Sequence, residues 1–425
     1  MLLLALGLVA LVLLNVPIAV ALGAVSTVAI LLTSGSSTLL DVPLAMYDGA
    51  RGFSLLAIPL FIFAGAIMNS GGISRRLVAF VSSLIGFVRG GLAMTSTGAS
   101  LFFAEISGSA VADVAALGSI LIPAMRRRGY PNAFAAAVMS SSATLAVIIP
   151  PSIPMILYGV MSGSSIVQLF VAGIVPGLIG GAGLMAVSYW FARRHDFPVE
   201  EAFRPAHVWR TFKDAALALI VPLIILGGIF GGLVTATEGA GLAVVAALAI
   251  ALVYRELSLR DLWRAMIDGG VQTAVVMLLV ATSVLLGNYL TEQHVPQQIA
   301  SSIAALTQNR YAVLALLNVL FLIAGLFLHS AAAIILIVPI VMPLVNQVGI
   351  DPIHFGMIVT LNLGIGQQTP PVASVLIAAC AVAKADVWEV TRYNVWYVGV
   401  LLLVLLLVTY VPVTALGLVH LFYGS

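Results

Sequence analysis

The sequence predicts an all-α, polytopic membrane protein built as an inverted-topology repeat, and three observations predict it. First, 62% of the 425 residues are hydrophobic and only 8% are charged, whereas a soluble domain carries about 25% charged residues. A soluble protein leaves too much surface to hide so many apolar side chains; a bilayer solvates them. Second, apolar runs near the ~20 residues that cross a hydrocarbon core recur along the chain, among them 214–232, 238–253 with its flanks, and 393–420. Third, the two halves align at a constant spacing of 220 residues.

Helix is the default for each apolar run, because backbone polar groups in lipid must be satisfied within the segment. The first half reads as spans 3–33, 53–70, 77–88 (short and interfacial), 91–106, 110–125, 132–149, 153–162 and 166–192. Met1–Thr33 is about twice a signal-peptide core and lacks a basic start, so it reads as a retained helix kinked at Pro17. A polar loop, Arg193 to Lys213, joins the halves. The second half reads as 214–232, 238–254, 262–290, 297–307, 311–328, 331–346, 354–368, 371–384 and 393–420. The clusters Trp388–Trp396 and Phe422-Tyr423 resemble interfacial aromatic belts.

Two pairs of spans are too short to cross singly. Spans 91–106 and 110–125 join at the polar tip Ser107-Gly108-Ser109, and 311–328 and 331–346 join near His329-Ser330. Short apolar pairs with a polar junction predict re-entrant helical hairpins, about 91–125 and 311–346. Such backbone survives at membrane depth only when surrounded by protein or a water-filled cavity.

The repeat aligns these hairpins. Asp48-Gly49 matches Asp268-Gly269, Pro123 matches Pro343, Gly129 matches Gly349, Pro150-Pro151 matches Pro370-Pro371, and Ser109 matches His329. Gly and Pro are common here, so the shared register carries the argument. Positive residues favour the cytoplasmic side. The first hairpin's mouth is flanked by Arg89 and Arg126-Arg127-Arg128, whereas the second has Asn346-Gln347-Val348 at the triplet's place and only Arg310 beside it. The first should enter from the cytoplasm and the second from the outer face. That inverted repeat is a plan of many secondary transporters.

After each hairpin comes a helix broken by two prolines, about 132–162 and 354–384. Proline removes a backbone donor and clashes with the preceding turn, so each pair ends a helix and frees carbonyl oxygens. Carbonyls at a helix end suit a small hard cation such as sodium, and half-helix N-termini favour an anion. Tips and breaks together predict two cation sites with an anion between them near midplane. Ser107, Gly108, Ser152, Gln368 and Thr369 are the candidates to meet the anion. Ser140, Ser141 and Ser142 fit either a site or helix packing, since small polar faces serve both.

Charged residues in apolar context deserve the same weighing. Glu105 and Asp113 flank the first tip. Asp48 and Arg51 are spaced for a structural ion pair. Glu238 fits a functional acid or a first-turn acid favoured by the helix dipole. His329 fits a satisfied buried imidazole equally with a ligand or proton carrier.

Other classes find little support. The net charge of +2 comes without a basic block of the kind nucleic acid attracts. The single cysteine, Cys380, excludes an intrachain disulfide and a cysteine metal cluster. There is no G-x-S-x-G elbow, H-E-x-x-H or P-loop, so no enzyme is expected. Uphill transport would then draw on an ion gradient or another chain's ATPase.

The segment Phe102-Phe103-Ala104-Glu105-Ile106-Ser107-Gly108-Ser109-Ala110-Val111-Ala112-Asp113 resembles the first hairpin of the large membrane subunit of TRAP (tripartite ATP-independent periplasmic) transporters. So do Ile148-Ile149-Pro150-Pro151-Ser152-Ile153-Pro154, Gly349-Ile350-Asp351-Pro352 and Thr369-Pro370-Pro371-Val372, and Thr235-Ala236-Thr237-Glu238-Gly239-Ala240-Gly241 is similar to another family signature. The resemblance covers nearly the whole chain. It implies a sodium-coupled elevator in the bacterial inner membrane, importing a small organic anion, carboxylate or sulfonate. It also implies a small four-helix membrane subunit and a soluble periplasmic substrate-binding protein as partners, with membrane lipid and no nucleic acid. Carried over by position, Ser107, Ser109, Ala146, Ile149 and Pro151 would form one sodium site, and Gly325, Leu328, His329, Gln368, Thr369 and Pro371 the second. Scaffold would comprise 1–88 and 214–308, with the moving domain 89–192 and 309–425 and the polar loop 193–213 cytoplasmic. The family often has Asp at His329, Gly at Ala373 and an apolar pair at Gln367-Gln368; these departures fall on the second site. A standalone sodium/dicarboxylate carrier needing no binding protein is the alternative.

Overall fold

The fold was analysed in a computed structural model, which describes residues 7, 8, 10, 11, 14, 16–199, 203–370 and 372–424, with backbone alone at 105–107 and 304–306. Every regular element among these is helical, and nine helical stretches are long and apolar enough to cross a membrane.

The first half runs α1 (Ile18–Ser34), α2 (Asp41–Ala50), α3 (Ala57–Ser70), α4 (Ile73–Ile85), α5 (Gly91–Ser107), α6 (Ala110–Arg127), α7 (Asn132–Ala143), α8 (Leu145–Ile148), α9 (Ile153–Ser162) and α10 (Ile166–Arg194). The second runs α11 (Pro205–Phe230), α12 (Ala236–Tyr254), α13 (Leu259–Glu292), α14 (Val295–Leu306), α15 (Arg310–Phe327), α16 (Ser330–Gln347), α17 (Pro352–Gly366), α18 (Ser374–Ala383), α19 (Val387–Tyr410) and α20 (Val413–Tyr423). The 220-residue spacing persists in the elements: α6 and α16 begin at Ala110 and Ser330, and α7 and α17 at Asn132 and Pro352. Gly129 and Gly349, which end the equivalent hairpins, both take a left-handed φ, +83° and +67°, where a side chain would cost about 1–2 kcal/mol.

Local chemistry explains where the helices deviate from the sequence expectations. Residues 7, 8, 10 and 11 are helical, and a new helix starts directly after Pro17, the residue expected to kink the span. Span 393–420 is two helices, because Pro412 ends α19 and caps α20. The polar stretch 193–213 is helical at both ends: α10 runs to Arg194, and Pro205 supplies a favoured first-turn proline for α11. Helix α2 went unrecognised in the sequence, since its ten residues mix Asp, Pro and Gly.

Helix directions sort the charges. Arg89 pairs with Asp196 at 2.8 Å, Arg75 and Arg76 pair with Glu256 at 2.6 and 2.7 Å, Ser83 bonds Thr211, and Phe134 packs on Tyr393. These contacts gather the hairpin mouth of α5–α6, the starts of α4, α11, α13 and α19, and the ends of α10 and α12 at one face. The mouth of the α15–α16 hairpin lies opposite, where Tyr311 meets Tyr410. Of 18 Lys and Arg, only Arg51 and Arg310 belong to that second face. The positive-inside rule therefore puts the first face in the cytoplasm.

Two packing groups result. Gly49 abuts Val284, Gly23 abuts Thr282 and Gly71 abuts Ala251, which knits α1–α3 to α12 and α13. In the stretch 132–162, α7 to α9, residues 133–159 are all buried in protein, and the stretch packs with the two hairpins and with α17, α18 and α19.

Candidate functional site

The first tip closes on the first break. Gly108 caps α5 in the left-handed region (φ 56°), and its carbonyl accepts from the Ile153 amide at 3.4 Å. A Cβ on Gly108 would lie 3.0 Å from the Pro151 carbonyl oxygen and 3.1 Å from the Ile153 nitrogen, so a side chain would push the tip off the break. Ser109, extended, starts α6. Ser107 ends α5, with only its backbone described. Across from the tip, Ala146 lies in the short α8, and Ile149 caps it in an extended conformation. Ser152 caps α9: its hydroxyl donates to the Val147 carbonyl at 2.7 Å and accepts from the Met155 amide at 3.4 Å. Thus α6 and α9 begin beside one another, with the carbonyl end of α8 next to them.

The second break is approached differently. Helix α15 crosses α17 backbone to backbone: a Cβ on Gly366 would fall 2.5 Å from the Gly325 Cα and carbonyl carbon. Beyond this crossing Leu328 is extended and His329 caps α16, its Nδ1 accepting from the Ala331 amide at 3.4 Å. A side-chain acceptor on a first-turn amide is a helix-capping role, which favours the structural reading of His329. Thr369 donates to the Ile365 carbonyl at 3.0 Å. Pro371 lies outside the described residues.

The halves meet between the breaks. A Cβ on Gly364 would lie 3.0 Å from the Thr144 methyl, so α7 and α17 cross just before each ends. Ser141 Oγ lies 2.9 Å from Gln368 Oε1 and 2.8 Å from Asn394 Oδ1, and Asn394 Nδ2 donates to the Gln368 carbonyl at 3.1 Å. Thr97 and Ser142 share a hydrogen bond of 2.9 Å. At the corresponding place in the second half, Asn362 donates to Asn318 at 2.6 Å, and Asn318 to Thr409 at 3.1 Å.

Several sequence candidates lie elsewhere or serve structure. Glu238 forms a capping box with Thr235 at an exposed helix start, which selects the first-turn reading. Asp48 and Arg51 form the expected ion pair, 3.0 Å apart and solvent-exposed. The Glu105 side chain is outside the described atoms, and Asp113 is buried in the first turn of α6. Asn318, Asn394 and Thr409 were missed. A lone amide in the apolar run 311–328 was the available signal for Asn318, while Asn394 was hidden among the aromatics of 388–396.

Among the described residues no three His, Cys, Asp or Glu side chains gather as a transition metal requires. The donors at the breaks are carbonyls, hydroxyls and amides, which suit a hard cation.

Residues 5–414 match the family model described as the tripartite ATP-independent periplasmic transporter, DctM component. The isethionate TRAP transporter permease protein DctMQ of Oleidesulfovibrio alaskensis is 41% identical over 94% of this chain, which spans 63% of that protein's length. The C4-dicarboxylate TRAP transporter large permease protein DctM of Pseudomonas aeruginosa is 38% identical over 93% of each chain. The crystal structure of the Alcanivorax borkumensis YdaH transporter superposes with a TM-score of 0.63 at 15% identity, covering 90% of this chain and 89% of that one, a likeness of fold.

Proposed function

Because the chain belongs to the DctM family of TRAP transporter large permeases, we propose that it carries a small organic anion inward across the bacterial inner membrane by sodium-driven, elevator-type transport. It is a multi-pass permease subunit and not an enzyme. Its relatives are named for isethionate, C4-dicarboxylate and sialic acid, and all three are organic acids, so the cargo is an organic acid, carboxylate or sulfonate. Its partners are the small membrane subunit and the periplasmic substrate-binding protein.

One observation supports this most: each hairpin closes on its own broken helix, Gly108 on Pro151–Ile153 at the first break and Gly325 on Gly366 just before the second. The first sodium lies against the carbonyl ends at Ala146, Ile149 and Pro151, with Ser107 and Ser109 from the tip. The second lies among Gly325, Leu328, His329, Gln368, Thr369 and Pro371. Helix starts at Ser109 and Ser152 turn partial positive charge toward an anion between these sites. Ser107, Gly108, Ser152, Gln368 and Thr369 line its place. The substrate's negative charge and the sodium charges offset each other, so each loading favours the next.

The moving domain comprises 89–192 and 309–425, and 1–88 with 214–308 forms the scaffold. The glycine contacts that knit α1–α3 to α12 and α13 support that division. A crosslink locking scaffold to moving domain should arrest transport, and continued uptake would refute the elevator.

The central test is uptake in proteoliposomes holding this chain, the small subunit and the binding protein, whose ligand is first found by thermal shift. Uptake should need both the binding protein and an inward sodium gradient, and Ser107→Ala or Thr369→Ala should raise the sodium needed for half-maximal rate. Uptake by this chain alone would establish the standalone carrier instead.

A further inference from the structure

Ser141, Gln368 and Asn394 are buried, at 0%, 0% and 2% exposure, and counting hydrogens settles how their amides face. Asn394 is fixed by the Gln368 backbone: its Nδ2 donates to that carbonyl at 3.1 Å, and a reversed amide would set oxygen against oxygen. Asn394 Oδ1 therefore faces Ser141 Oγ at 2.8 Å. A serine hydroxyl has one hydrogen, and it goes to Asn394.

The Gln368 amide must then be turned. With Oε1 toward Ser141 at 2.9 Å, two oxygens would meet with no hydrogen between them, while Nε2 stays buried without a partner. Amide nitrogen and oxygen are alike in shape, and hydrogen bonding decides between them. Rotating the amide by a half-turn removes both faults. Gln368 Nε2 donates to Ser141 Oγ, Ser141 donates to Asn394 Oδ1, and Asn394 donates to the Gln368 carbonyl, closing the ring. The atom left over is Gln368 Oε1, buried at the second break in the place where Nε2 would find no acceptor.

We propose that Gln368 presents Oε1 as a side-chain ligand to the cation at the second break, and that Ser141 and Asn394 are positioning residues for it. This rests on the sodium reading above. An orphaned donor at this place would have suited the anion; an orphaned carbonyl oxygen repels an anion and suits a hard cation. Gln368 thus belongs to the second cation site and leaves the set that meets the substrate. Its backbone carbonyl already serves Asn394, so the side chain supplies the oxygen. Because Ser141 lies on α7 of the first half, the ring also ties the second cation to the first half's broken helix. Neither partner has a polar repeat counterpart: Leu361 and Ile174 stand at the places equivalent to Ser141 and Asn394.

The test is thermal unfolding of the purified complex of this chain with its small subunit, titrated with NaCl and, as control, KCl. Gln368→Leu should raise the NaCl midpoint about ten-fold or more, the effect of removing one buried polar partner, with the KCl melting temperature little changed. Gln368→Glu, which keeps an oxygen there and adds a negative charge, should lower the midpoint. Ser141→Ala, which leaves Gln368 in place but unheld, should raise it about three-fold. If Gln368→Leu does not fold, the other two variants decide, and wild-type midpoints in both would overturn the proposal. A Gln368→Leu protein with a wild-type sodium midpoint but weakened substrate binding would also overturn it, placing the oxygen against a donor on the substrate. A wild-type complex that sodium does not stabilise would instead refute the sodium reading.

Discussion

The two hairpin–break units share a backbone plan and differ in what joins tip to break. In the first, a left-handed glycine brings the tip's carbonyl onto the Ile153 amide, and the surrounding polar groups are small hydroxyls, Thr97, Ser142 and Ser152. In the second, two glycines let helix backbones touch, and amides occupy the polar places, Asn318, Asn362 and Gln368. The repeat fixes where a helix must break and where its neighbour must approach. It leaves open which side chains fill the remaining space, so each site carries its own donor chemistry on a common frame.

The sharpest way to break that comparison is at the glycines. Gly366→Ala places a carbon 2.5 Å from Gly325 backbone atoms, which neither helix can relieve by moving a side chain. It should cost at least about 1–3 kcal/mol by overpacking and abolish uptake. Gly108→Ala meets atoms only at 3.0 Å, but its φ of 56° adds backbone strain of about 1–2 kcal/mol. Uptake should fall yet remain measurable. Equal losses, measured by uptake and melting temperature, would show that the units close alike.

The polar bridges come next in size. Asn362→Leu leaves Asn318 Oδ1 without its donor in a buried site, a loss of about 1–3 kcal/mol. Thr97→Val, which removes the partner of Ser142, the residue equivalent to Asn362 across the repeat, breaks one hydroxyl pair and should cost nearer 1 kcal/mol. Chemical or thermal unfolding of the two variants checks the order, and a larger loss in Thr97→Val would reverse the contrast drawn between hydroxyl and amide halves.

How much of this was legible follows from the same contrast. Pro150-Pro151, Pro370-Pro371 and the glycines at 129 and 349 announce backbone geometry through residue type, so hairpins, breaks and register could be read directly. The side-chain partners could not. Ser141 finds Gln368 and Asn394 across 227 and 253 residues, and no local pattern encodes a pairing made only by the crossing of α7, the second break and α19. His329 was ambiguous because an N-cap depends on one backbone dihedral. Pro412 was read through as if the run were one helix, since its flanks are apolar on both sides.

The comparison extends to the short helices that precede each hairpin, α4 and α14. The start of α4 is pinned: Glu256 accepts from Arg75 and Arg76 at 2.6 and 2.7 Å, and the Arg76 guanidinium lies 3.8 Å over the Tyr254 ring. At the equivalent positions α14 has Val295 and Pro296, with Ser36 opposite Glu256 in the repeat, so no such clamp exists there. The hydrogen bond from Arg76, aided by both guanidinium charges, holds the Glu256 carboxyl below its ordinary range. A carboxyl depressed in the folded state adds stability above its unfolded pKa, near about 4.3, and that contribution is lost as pH falls through the lower folded value. Melting temperature should therefore respond to Glu256→Gln at pH 7 and lose that difference once pH has fallen through the lower folded value. The effect is the smallest of those set out here, under about 1 kcal/mol, because the pair is partly exposed. A difference that persisted at low pH would mean that Glu256 acts through packing against Gly72, which its carboxylate touches, and that α4 and α14 are held by the same kind of contact after all.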